Sequence, residues 1–311
     1  MTYKRVLVTG GAGFIGSNLV KGLVKAGKSV TVLDNFSSGF RKNLDNILSV
    51  KVIEGDIRNQ KDVENAMRGS EVIFHLAASV GNKRSIDNPI SDAETNVIGT
   101  LQVLETARNQ GIRKIITSSS AGIFGELKSI PIKEDHPIEP DSPYGCTKLC
   151  EEKLCLAYAK LYDIEAICLR YFNVYGPNQR YDLYGNVIPI FVFRMLQNKS
   201  LHIFGDGEQT RDFVHVNDVV QANLKAADSI GVSGAFNIAS GNSVTINKLV
   251  EIILRNSGSN SRVEHLNERP GDVKHSLADI SLASEKLHYN PVESLDKGIE
   301  DYIKWARTEL E

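Results

Sequence analysis

The stretch Tyr144-Gly145-Cys146-Thr147-Lys148 contains a phenol and an ammonium group at a spacing that suits proton transfer. Residues four positions apart in a helix lie on one face, about one turn apart. A free tyrosine has a pKa of about 10, so it is a poor base at neutral pH. A cation about 5 Å away, at an effective dielectric constant of about 20, favours the phenolate by roughly 3 kcal/mol. The pair therefore has the character of a tuned acid/base, although the same spacing also occurs by chance on solvated helix faces.

A glycine-rich turn near the start of the chain predicts a binding site for a dinucleotide. The apolar run 4–9 precedes Gly10-Gly11-Ala12-Gly13-Phe14-Ile15-Gly16, and an amphipathic helical pattern follows it. Gly10 permits the tight turn, Gly13 lets the backbone approach a diphosphate, and Gly16 lets the helix pack on the strand. The free N–H groups of the helix then face the phosphates. A glycine turn without a ligand is the alternative, but the strand and helix on either side favour the dinucleotide.

Two acidic residues follow the next strands and indicate which dinucleotide is bound. Asp34 ends the strand 29–33, where a carboxylate accepts hydrogen bonds from a ribose diol and repels a 2′-phosphate, so NAD is favoured over NADP. Asp34 could instead simply open the turn 34–39. Asp56 follows the strand 50–54 and could face the adenine amine or, equally well, cap the next helix.

The strand 71–76 ends in the small residues 77–79. Small side chains at the carboxyl end of a parallel strand leave room for a cofactor at that edge of the sheet. His75, inside this strand, has no charged neighbour in sequence, so we interpret it as a core histidine rather than a base.

Ser120 belongs to a cluster of hydroxyls that follows the strand 113–117. At the carboxyl edge of the sheet it would lie beside the same cleft as Tyr144. The alternative is an ordinary serine in a turn.

The order of these elements predicts an α/β fold. Strands and helices alternate up to about residue 172, which is typical of one doubly wound parallel sheet of the Rossmann type. We expect residues 1–172 to form a dinucleotide-binding domain, with 213–240 packing back onto it. Residues 173–212 and 241–311 are expected to form a smaller mixed α/β substrate lobe.

Composition excludes several kinds of partner. The 311 residues carry a formal net charge of -2, whereas a nucleic-acid binder needs a basic excess on one face. The N-terminal region is not organised like a signal peptide, and no apolar segment reaches the roughly 20 residues that span a bilayer. We therefore expect a cytoplasmic protein that binds neither nucleic acid nor membrane.

The four cysteines lie close together in sequence, at positions 146, 150, 155 and 168. Their spacings match neither a zinc knuckle nor a redox Cys-x-x-Cys motif. We expect reduced, partly buried thiols and no metal site, with three of the thiols along the helix of Tyr144.

Together, Gly10-x-x-Gly13-x-x-Gly16, Ser120 and Tyr144-x-x-x-Lys148 resemble the extended short-chain dehydrogenase/reductase family. Within that family the chain most resembles the NAD-dependent nucleotide-sugar epimerases of the UDP-glucose/UDP-N-acetylglucosamine 4-epimerase type. Its C-terminal signatures carry this likeness: Leu-Arg-Tyr-Phe-Asn-Val-Tyr-Gly-Pro at 169–177, Gly-Asp-Gly-x-x-x-Arg-Asp-Phe at 205–213, and Arg-Pro-Gly-Asp-Val at 269–273. The resemblance covers essentially the whole chain.

The resemblance implies two sets of binding residues. NAD would be held by Gly10, Gly13, Phe14, Ile15, Gly16, Asp34, Asn35, Ser37, Ser38, Gly39, Asp56, Ile57, Leu76, Ala77, Ala78, Asn96, Ser118, Tyr144, Lys148, Tyr171 and Phe172. The UDP-sugar would be held by Ser120, Tyr144, Asn173, Val187, Ile203, Phe204, Arg211, Arg269, Asp272 and Ser276. A diphosphate needs charge-assisted donors, which the two arginines supply, although on sequence alone each could form a surface ion pair instead.

Departures from related enzymes narrow the reaction that the resemblance implies. Sugar-nucleotide 4,6-dehydratases carry Thr-Asp-Glu where this chain has Ser120-Ala121-Gly122, and UDP-glucuronate decarboxylases usually place a Glu just after their Thr. The implied activity is therefore 4-epimerisation of UDP-glucose and UDP-galactose through a transient 4-keto sugar, with Ser120, Tyr144 and Lys148 as catalytic residues. Ser276 stands where strictly hexose-specific members carry a bulky Tyr, which extends the expected substrates to UDP-GlcNAc and UDP-GalNAc.

Two other functions remain open at this point. One is a UDP-glucuronate 4-epimerase, in which Arg180 or Arg84 would pair with the C6 carboxylate. The other is a non-catalytic, NAD-sensing binding protein, although such proteins commonly lack the Tyr/Lys pair. The resemblance also implies a homodimer formed through a four-helix bundle of the helices 92–109 and 144–161 of each subunit.

Overall fold

The computed structural model describes residues 3–45, 47–181, 186–268 and 273–310, and strands and helices alternate along most of this length. The strands are β1 Arg5–Thr9, β2 Ser29–Asp34, β3 Val50–Glu54, β4 Val72–His75, β5 Lys114–Ser120, β6 Glu165–Tyr171, β7 Asn173–Tyr175, β8 Leu201–Phe204, β9 Thr210–His215, β10 Gly234–Ile238, β11 Ser243–Thr245 and β12 Val263–Leu266. The helices are α1 Phe14–Lys25, α2 Gln60–Met67, α3 Asn82–Asp87, α4 Pro89–Ala93, α5 Thr100–Asn109, α6 Pro143–Leu161, α7 Val187–Leu196, α8 Val216–Asp228, α9 Ile246–Ser257, α10 Ser281–Leu287 and α11 Leu295–Thr308.

Seven of the described strands form one parallel sheet in the order β10-β6-β5-β4-β1-β2-β3. Both faces of this sheet are covered. Val6 and Val8 pack into one buried apolar cluster while Leu7, between them, packs into another, because successive side chains of a strand point to opposite faces. The predicted doubly wound α/β fold is therefore confirmed. The strand order reverses between β1 and β4, which opens a crevice at their carboxyl ends.

The second half of the chain forms smaller sheets with their own core. Strand β9 pairs in parallel with β7 and antiparallel with β11, and β12 pairs in parallel with β8. Helices α7, α9 and α11 cover a separate apolar cluster beside these strands. This part of the structure is the smaller mixed α/β lobe that the sequence predicts.

The predicted limits of the two parts can be compared with the packing around β10. This strand joins the large sheet beside β6, and α8 packs against α1. Helix α10, which the sequence places in the substrate lobe, contributes Ala283 and Leu287 to the core of the large sheet. Strand β9 lies across the predicted boundary at residue 213. The residue limits of the domains stay a prediction.

Helix α6 begins at a position set by its local sequence. The Ser142 hydroxyl accepts the N–H of Gly145 at 3.1 Å, and Pro143 occupies the first helical position, where its fixed φ suits a helix. Tyr144 therefore lies in the first turn of α6 and Lys148 in the second. Of the four free cysteines, three lie along α6 and Cys168 lies in β6, as predicted.

The helix expected over 92–109 contains a wider turn. Between α4 and α5 the segment Glu94–Gly99 is a π-helix, a form that often accompanies functional sites. The Thr100 hydroxyl, at the start of α5, donates to the carbonyl of Asn96 inside this segment at 2.6 Å. Within the described ranges, no helix combines the length and the apolar character needed to cross a bilayer.

Candidate active site

Ser120, Tyr144 and Lys148 meet at the carboxyl end of β5. Ser120 is the last residue of that strand, and α6 packs directly against β5 and β6. The Ser120 hydroxyl accepts the N–H of Gly122 at 3.1 Å and forms a hydrogen bond with Tyr144. A side-chain carbon at Gly122 would lie 3.3 Å from the Ser120 hydroxyl and 3.6 Å from the Tyr144 ring, so this glycine leaves space between them.

The electrostatics of Tyr144 differ in part from the sequence-based expectation. Burial raises the pKa of Tyr144, while the charge of Lys148 and the hydrogen bond with Ser120 lower it. Glu151 and Asp92 raise it further, and the net shift is upward. The lysine thus acts in the predicted direction, but desolvation of the phenolate outweighs it in the protein alone.

Lys148 is held by a buried carboxylate that the sequence analysis missed. Its Nζ donates to Glu151 Oε2 at 2.5 Å, and the Thr117 hydroxyl of β5 donates to the other oxygen, Oε1. Burial lowers the pKa of Lys148, but the charges of Glu151 and Tyr144 outweigh this and raise it. The sequence carried one signal of this contact: Glu151 follows Lys148 by three positions, and residues three apart in a helix are neighbours.

The glycine turn between β1 and α1 is shaped for a closely approaching ligand. Gly10 has φ +69°, and a side-chain carbon there would lie 2.7 Å from the Ala77 nitrogen. One at Gly16 would collide with the carbonyl oxygen of Gly10, and one at Gly13 would lie 3.2 Å from the same oxygen. Phe14 and Ile15 begin α1, whose first turn carries no side-chain cap. The turn therefore offers uncapped N–H groups in a cradle that any larger residue would fill.

Asp34 lies beside this turn at the end of β2. Its Oδ2 accepts the N–H of Ala12 at 2.8 Å, and its Oδ1 accepts the N–H of Phe36 at 2.8 Å. Burial raises the pKa of Asp34, and these two N–H groups lower it. Asp34 therefore opens the following turn, as one of the two interpretations from sequence expects. Its role toward a ribose stays a prediction, with which the lone pair left on each oxygen is compatible.

Asp56 lies next to Asn35, whose amide donates to Asp56 Oδ2 at 2.9 Å. Ser37 donates its N–H and its hydroxyl to the other end of the Asn35 side chain. The helix-capping interpretation of Asp56 is wrong, because Asn59 caps α2. Hydrogen bonds from Arg58 lower the pKa of Asp56, so it remains an anion beside the cleft.

Three other predicted cofactor residues flank the same region. Ser38 is exposed and Gly39 is buried, and a side-chain carbon at Gly39 would lie 2.8 Å from the backbone of Ala12 in the glycine turn. Ile57 is buried and packs against Gly99 of the π-helical segment.

The segment Leu76–Ala78 is partly exposed and lies beside the glycine turn, since the N–H groups of Leu76 and Ala77 both donate to the Thr9 hydroxyl at 3.2 Å. His75 contacts the hydroxyls of Thr9 and Thr100 at 2.8 and 3.0 Å, and burial lowers its pKa to about 3. Its interpretation as a satisfied core histidine is confirmed. The Ser118 hydroxyl points to the carbonyl of His75 at 3.4 Å.

Asn96 is fully buried and uses its amide to join three parts of the site. Its Oδ1 accepts the N–H of Ser79 at 2.7 Å, and its Nδ2 donates to the Ser79 carbonyl at 3.0 Å. The same Nδ2 contacts the Thr147 hydroxyl at 3.0 Å, which also donates to Asp92 at 2.6 Å. Asn96 therefore fixes the cleft loop after β4 against α6.

Tyr171 and Phe172 are buried beneath the end of β6. The Tyr171 hydroxyl accepts from the amide of Asn223 on α8 at 2.9 Å, and Phe172 packs near Phe124 with ring centroids 6.4 Å apart. Both residues thus lie at the carboxyl end of β6, and their side chains contact other side chains of the protein interior.

A second group of predicted residues surrounds a cavity of about 400 Å³ in the smaller lobe. Its lining includes the predicted Asn173, Val187, Ile203, Phe204 and Arg211, together with Asn186 and Gln209, which the sequence analysis did not select. A single Asn or Gln in a loop is too common in proteins for the sequence alone to mark it as a ligand-binding residue.

Arg211 is the lining residue that links this cavity to the segment 273–276, and Ser276 itself is not part of the lining. Arg211 donates through Nη1 to the carbonyl of Val273 at 2.6 Å, and the Ser276 N–H donates to the Thr210 carbonyl at 3.2 Å. Ser276 is 8% exposed. Arg269 and Asp272, two predicted ligands of the substrate, lie outside the described residues.

The sequence was found to be similar to a known protein family and to individual proteins. Residues 6–239 match the profile of the NAD dependent epimerase/dehydratase family. The chain is 38% identical to a UDP-glucose 4-epimerase of Mycolicibacterium smegmatis over 97% of its own length and 98% of the relative.

Two solved structures show the same fold at similar identity. The structure of UDP-glucose 4-epimerase with UDP-glucose from Thermotoga maritima is 39% identical with a TM-score of 0.93, covering 99% of this chain and 100% of that one. UDP-N-acetylglucosamine 4-epimerase from Methanobrevibacter ruminantium, in complex with UDP-N-acetylmuramic acid, is 38% identical with a TM-score of 0.94 and the same coverage.

Proposed function

The chain belongs to the NAD dependent epimerase/dehydratase family, and we propose that it interconverts UDP-hexoses that differ in configuration at C4. The observation that carries this proposal is the meeting of Ser120, Tyr144 and Lys148 at the carboxyl edge of the sheet, the edge on which the glycine turn also lies. A hydroxyl, a phenol and an ammonium group in one place can together move a proton to and from a sugar hydroxyl.

NAD is the cofactor of this family, and the described residues fit it. The cradle around Gly13 and the start of α1 would hold the diphosphate, Asp34 the adenosine ribose, and Asn35 with Asp56 the adenine. Lys148 has three N–H donors and gives one to Glu151, so two remain that could serve a nicotinamide ribose. When bound, NAD accepts a hydride from the sugar carbon and later returns it.

Tyr144 moves the proton in this mechanism. As a phenolate it accepts the proton of the 4-hydroxyl, and after the resulting 4-keto sugar has turned its other face, it gives the proton back to the same oxygen. Ser120 accepts the N–H of Gly122, so its own proton is available for the phenol oxygen or for O4. Lys148 keeps its charge in the interior and favours the phenolate.

The cavity of the smaller lobe suits the nucleotide part of the substrate. Val187, Ile203 and Phe204 give it apolar surface for a uracil ring, while Asn173 and Arg211 supply polar groups. A fixed UDP group would let the sugar rotate about its phosphate bond without leaving the site. Arg269 and Asp272 would complete this site, as the resemblance implies.

The choice of sugar is the finer part of the proposal. We infer that the protein accepts UDP-glucose and UDP-galactose and also their 2-acetamido counterparts. The relatives with 38–39% identity include both a UDP-glucose and a UDP-N-acetylglucosamine epimerase. The small side chain of Ser276 supports the wider range, because a bulky residue there would compete with an N-acetyl group for space.

For the glucuronate alternative, the described contacts of Arg180 give no support. The guanidinium group of Arg180, one of its two candidate ligands, forms an ion pair with Glu309 at 3.2 Å and lies 3.4 Å above the ring of Phe40. The alternative is therefore tested as one arm of the same assay.

We also propose that the protein works as a homodimer. Ile98, on the helix 92–109, is 49% exposed, and Leu161, at the end of α6, is 67% exposed. Pairing of these helices with those of a second copy would cover apolar side chains that water otherwise surrounds.

The decisive experiment is incubation of the purified protein with UDP-glucose, UDP-galactose, UDP-GlcNAc and UDP-glucuronate in separate tubes. NMR of the anomeric and H4 protons distinguishes the 4-epimers. We expect UDP-glucose and UDP-galactose to reach one equilibrium mixture from either side, UDP-GlcNAc to be converted to its 4-epimer, and UDP-glucuronate to remain unchanged. Conversion of the glucuronate alone would replace the proposed substrate, and an absence of product from all four would contradict an epimerase.

A further inference from the structure

Glu151 is a buried acid whose charge takes no part in the proton transfer proposed above. It is 1% exposed, and Lys148 is 2% exposed. The two side chains form an ion pair at 2.5 Å, and the Thr117 hydroxyl binds the second carboxylate oxygen from the adjoining strand β5. Burying an ion pair is costly unless its geometry and hydrogen bonds are good. In Glu151 both carboxylate oxygens have a partner, Lys148 on one and Thr117 on the other.

The groups around Glu151 show that Lys148 is its cation. On the same helix, Glu152 pairs with Arg170 through two contacts of 2.8 and 2.9 Å. From β4, His75 contributes a ring whose pKa is lowered to about 3 by burial and by Lys148, so it is neutral. The Tyr144 phenol and the Cys155 thiol also act on Lys148, and the Cys168 thiol lies near Glu151; none of them carries a positive charge. Asp92 on α4 acts on the neighbouring Tyr144 and is likewise not a cation.

This arrangement determines the charge that a nicotinamide ring would meet. The oxidised ring is positive and the reduced ring is neutral, so an isolated ammonium group beside the site would favour the reduced form. Glu151 compensates that ammonium charge without using all of its donors. The carboxylate of Asp92, which accepts hydrogen bonds from Thr147 and Asn96, adds further negative charge near the site.

We propose that Glu151 is a positioning residue that fixes the Lys148 ammonium group and, by its charge, favours binding of the oxidised cofactor over the reduced one. This inference rests on the proposed function, because it concerns the cofactor of that same site. Its consequence is that the bound cofactor returns to the oxidised state after each turnover rather than remaining as an abortive reduced complex.

The test compares the affinities of the cofactor-free protein for NAD⁺ and NADH, measured by titration calorimetry, in the wild type and in E151Q. The amide keeps the shape and removes the charge. We expect the preference for NAD⁺ over NADH to fall by about tenfold in E151Q, the size expected for one charge about 12 Å away at an effective dielectric constant of about 20. Equal losses of affinity for both forms would show a merely structural role and would overturn the inference.

Two further variants make the outcome unambiguous. T117V removes the hydrogen bond to Glu151 but keeps its charge, so its preference for NAD⁺ should match the wild type; a shift as large as that of E151Q would contradict a charge effect. E151D keeps the charge at a greater distance from Lys148 and should give a smaller shift in the same direction, and it replaces E151Q if that variant does not fold. Because these measurements need no sugar substrate, their failure is distinguishable from failure of the epimerase assay.

Discussion

Glu152 and Arg170 form a two-point ion pair in the interior, with Oε2 to Nε at 2.9 Å and Oε1 to Nη2 at 2.8 Å. Glu152 lies on α6 and Arg170 on β6, and both are almost fully buried. Glu152 also accepts the hydroxyl proton of Ser119 at 2.7 Å, one residue before Ser120. The pair therefore fixes the helix of Tyr144 against the strand of Ser120, and the geometry of the active site depends on it.

This ion pair gives the first prediction, which concerns stability. R170M leaves the Glu152 carboxylate buried without its cation, so we expect the free energy of unfolding to fall by about 3–5 kcal/mol. Urea unfolding followed by circular dichroism measures it. The double variant E152M/R170M removes both charges and should recover most of the loss. A double variant as unstable as the sum of the two single variants would contradict this account.

K248A serves as the control, because Lys248 pairs with Glu251 at the surface, and little change in stability is expected.

The parts of the site that the sequence predicted are those encoded locally. Gly10, Gly13 and Gly16 are informative because backbone geometry at a strand–helix turn excludes side chains, and the spacing of Tyr144 and Lys148 is fixed by the helix itself. Ser120 could be placed because parallel strands end at one edge of the sheet.

The parts that were missed depend on contacts between distant segments. An acid such as Glu151 on a helix ordinarily faces water, and only the packing of α6 on Thr117 shows that it is buried. The upward shift of the Tyr144 pKa is likewise caused mainly by burial, which cannot be inferred from the sequence. Asp56 was ambiguous because the residue that caps α2, Asn59, lies three positions further on.

The second prediction concerns Tyr144 as the acid/base. Y144F removes the phenol oxygen and keeps the ring, so the fold and NAD binding should be retained while kcat falls by a factor of about 10²–10⁴, the usual contribution of a positioned acid or base. Steady-state rates with UDP-galactose, together with calorimetric titration of NAD, test this. A variant with nearly wild-type turnover would show that another group moves the proton.

The third prediction concerns pH and uses the direction of the Tyr144 shifts. The hydrogen bond with Ser120 lowers the pKa of Tyr144, so S120A should raise it. Because the phenolate is the active base, activity increases as pH rises through this pKa, and the acidic limb of the kcat/KM profile should move to higher pH in S120A. The variant should therefore lose more activity at neutral pH than in alkaline buffer. An acidic limb that stays in place, or moves to lower pH, would show that Ser120 does not influence the base.

The fourth prediction concerns the size of the sugar that the site accepts. Ser276 is buried beside Thr210, with its N–H bound to the Thr210 carbonyl, so a larger side chain at this position must take space from its surroundings. If that space is used by a 2-acetamido group, S276Y should lower kcat/KM for UDP-GlcNAc by at least about tenfold, as expected when a steric clash replaces a fitting contact, and leave UDP-glucose much less affected. S276A is the matched control and should leave both substrates near the wild type. Parallel losses for the two sugars in S276Y would mean that the substitution only disturbs the segment after 272, whereas a selective loss would identify Ser276 as the residue that permits the bulkier substrate.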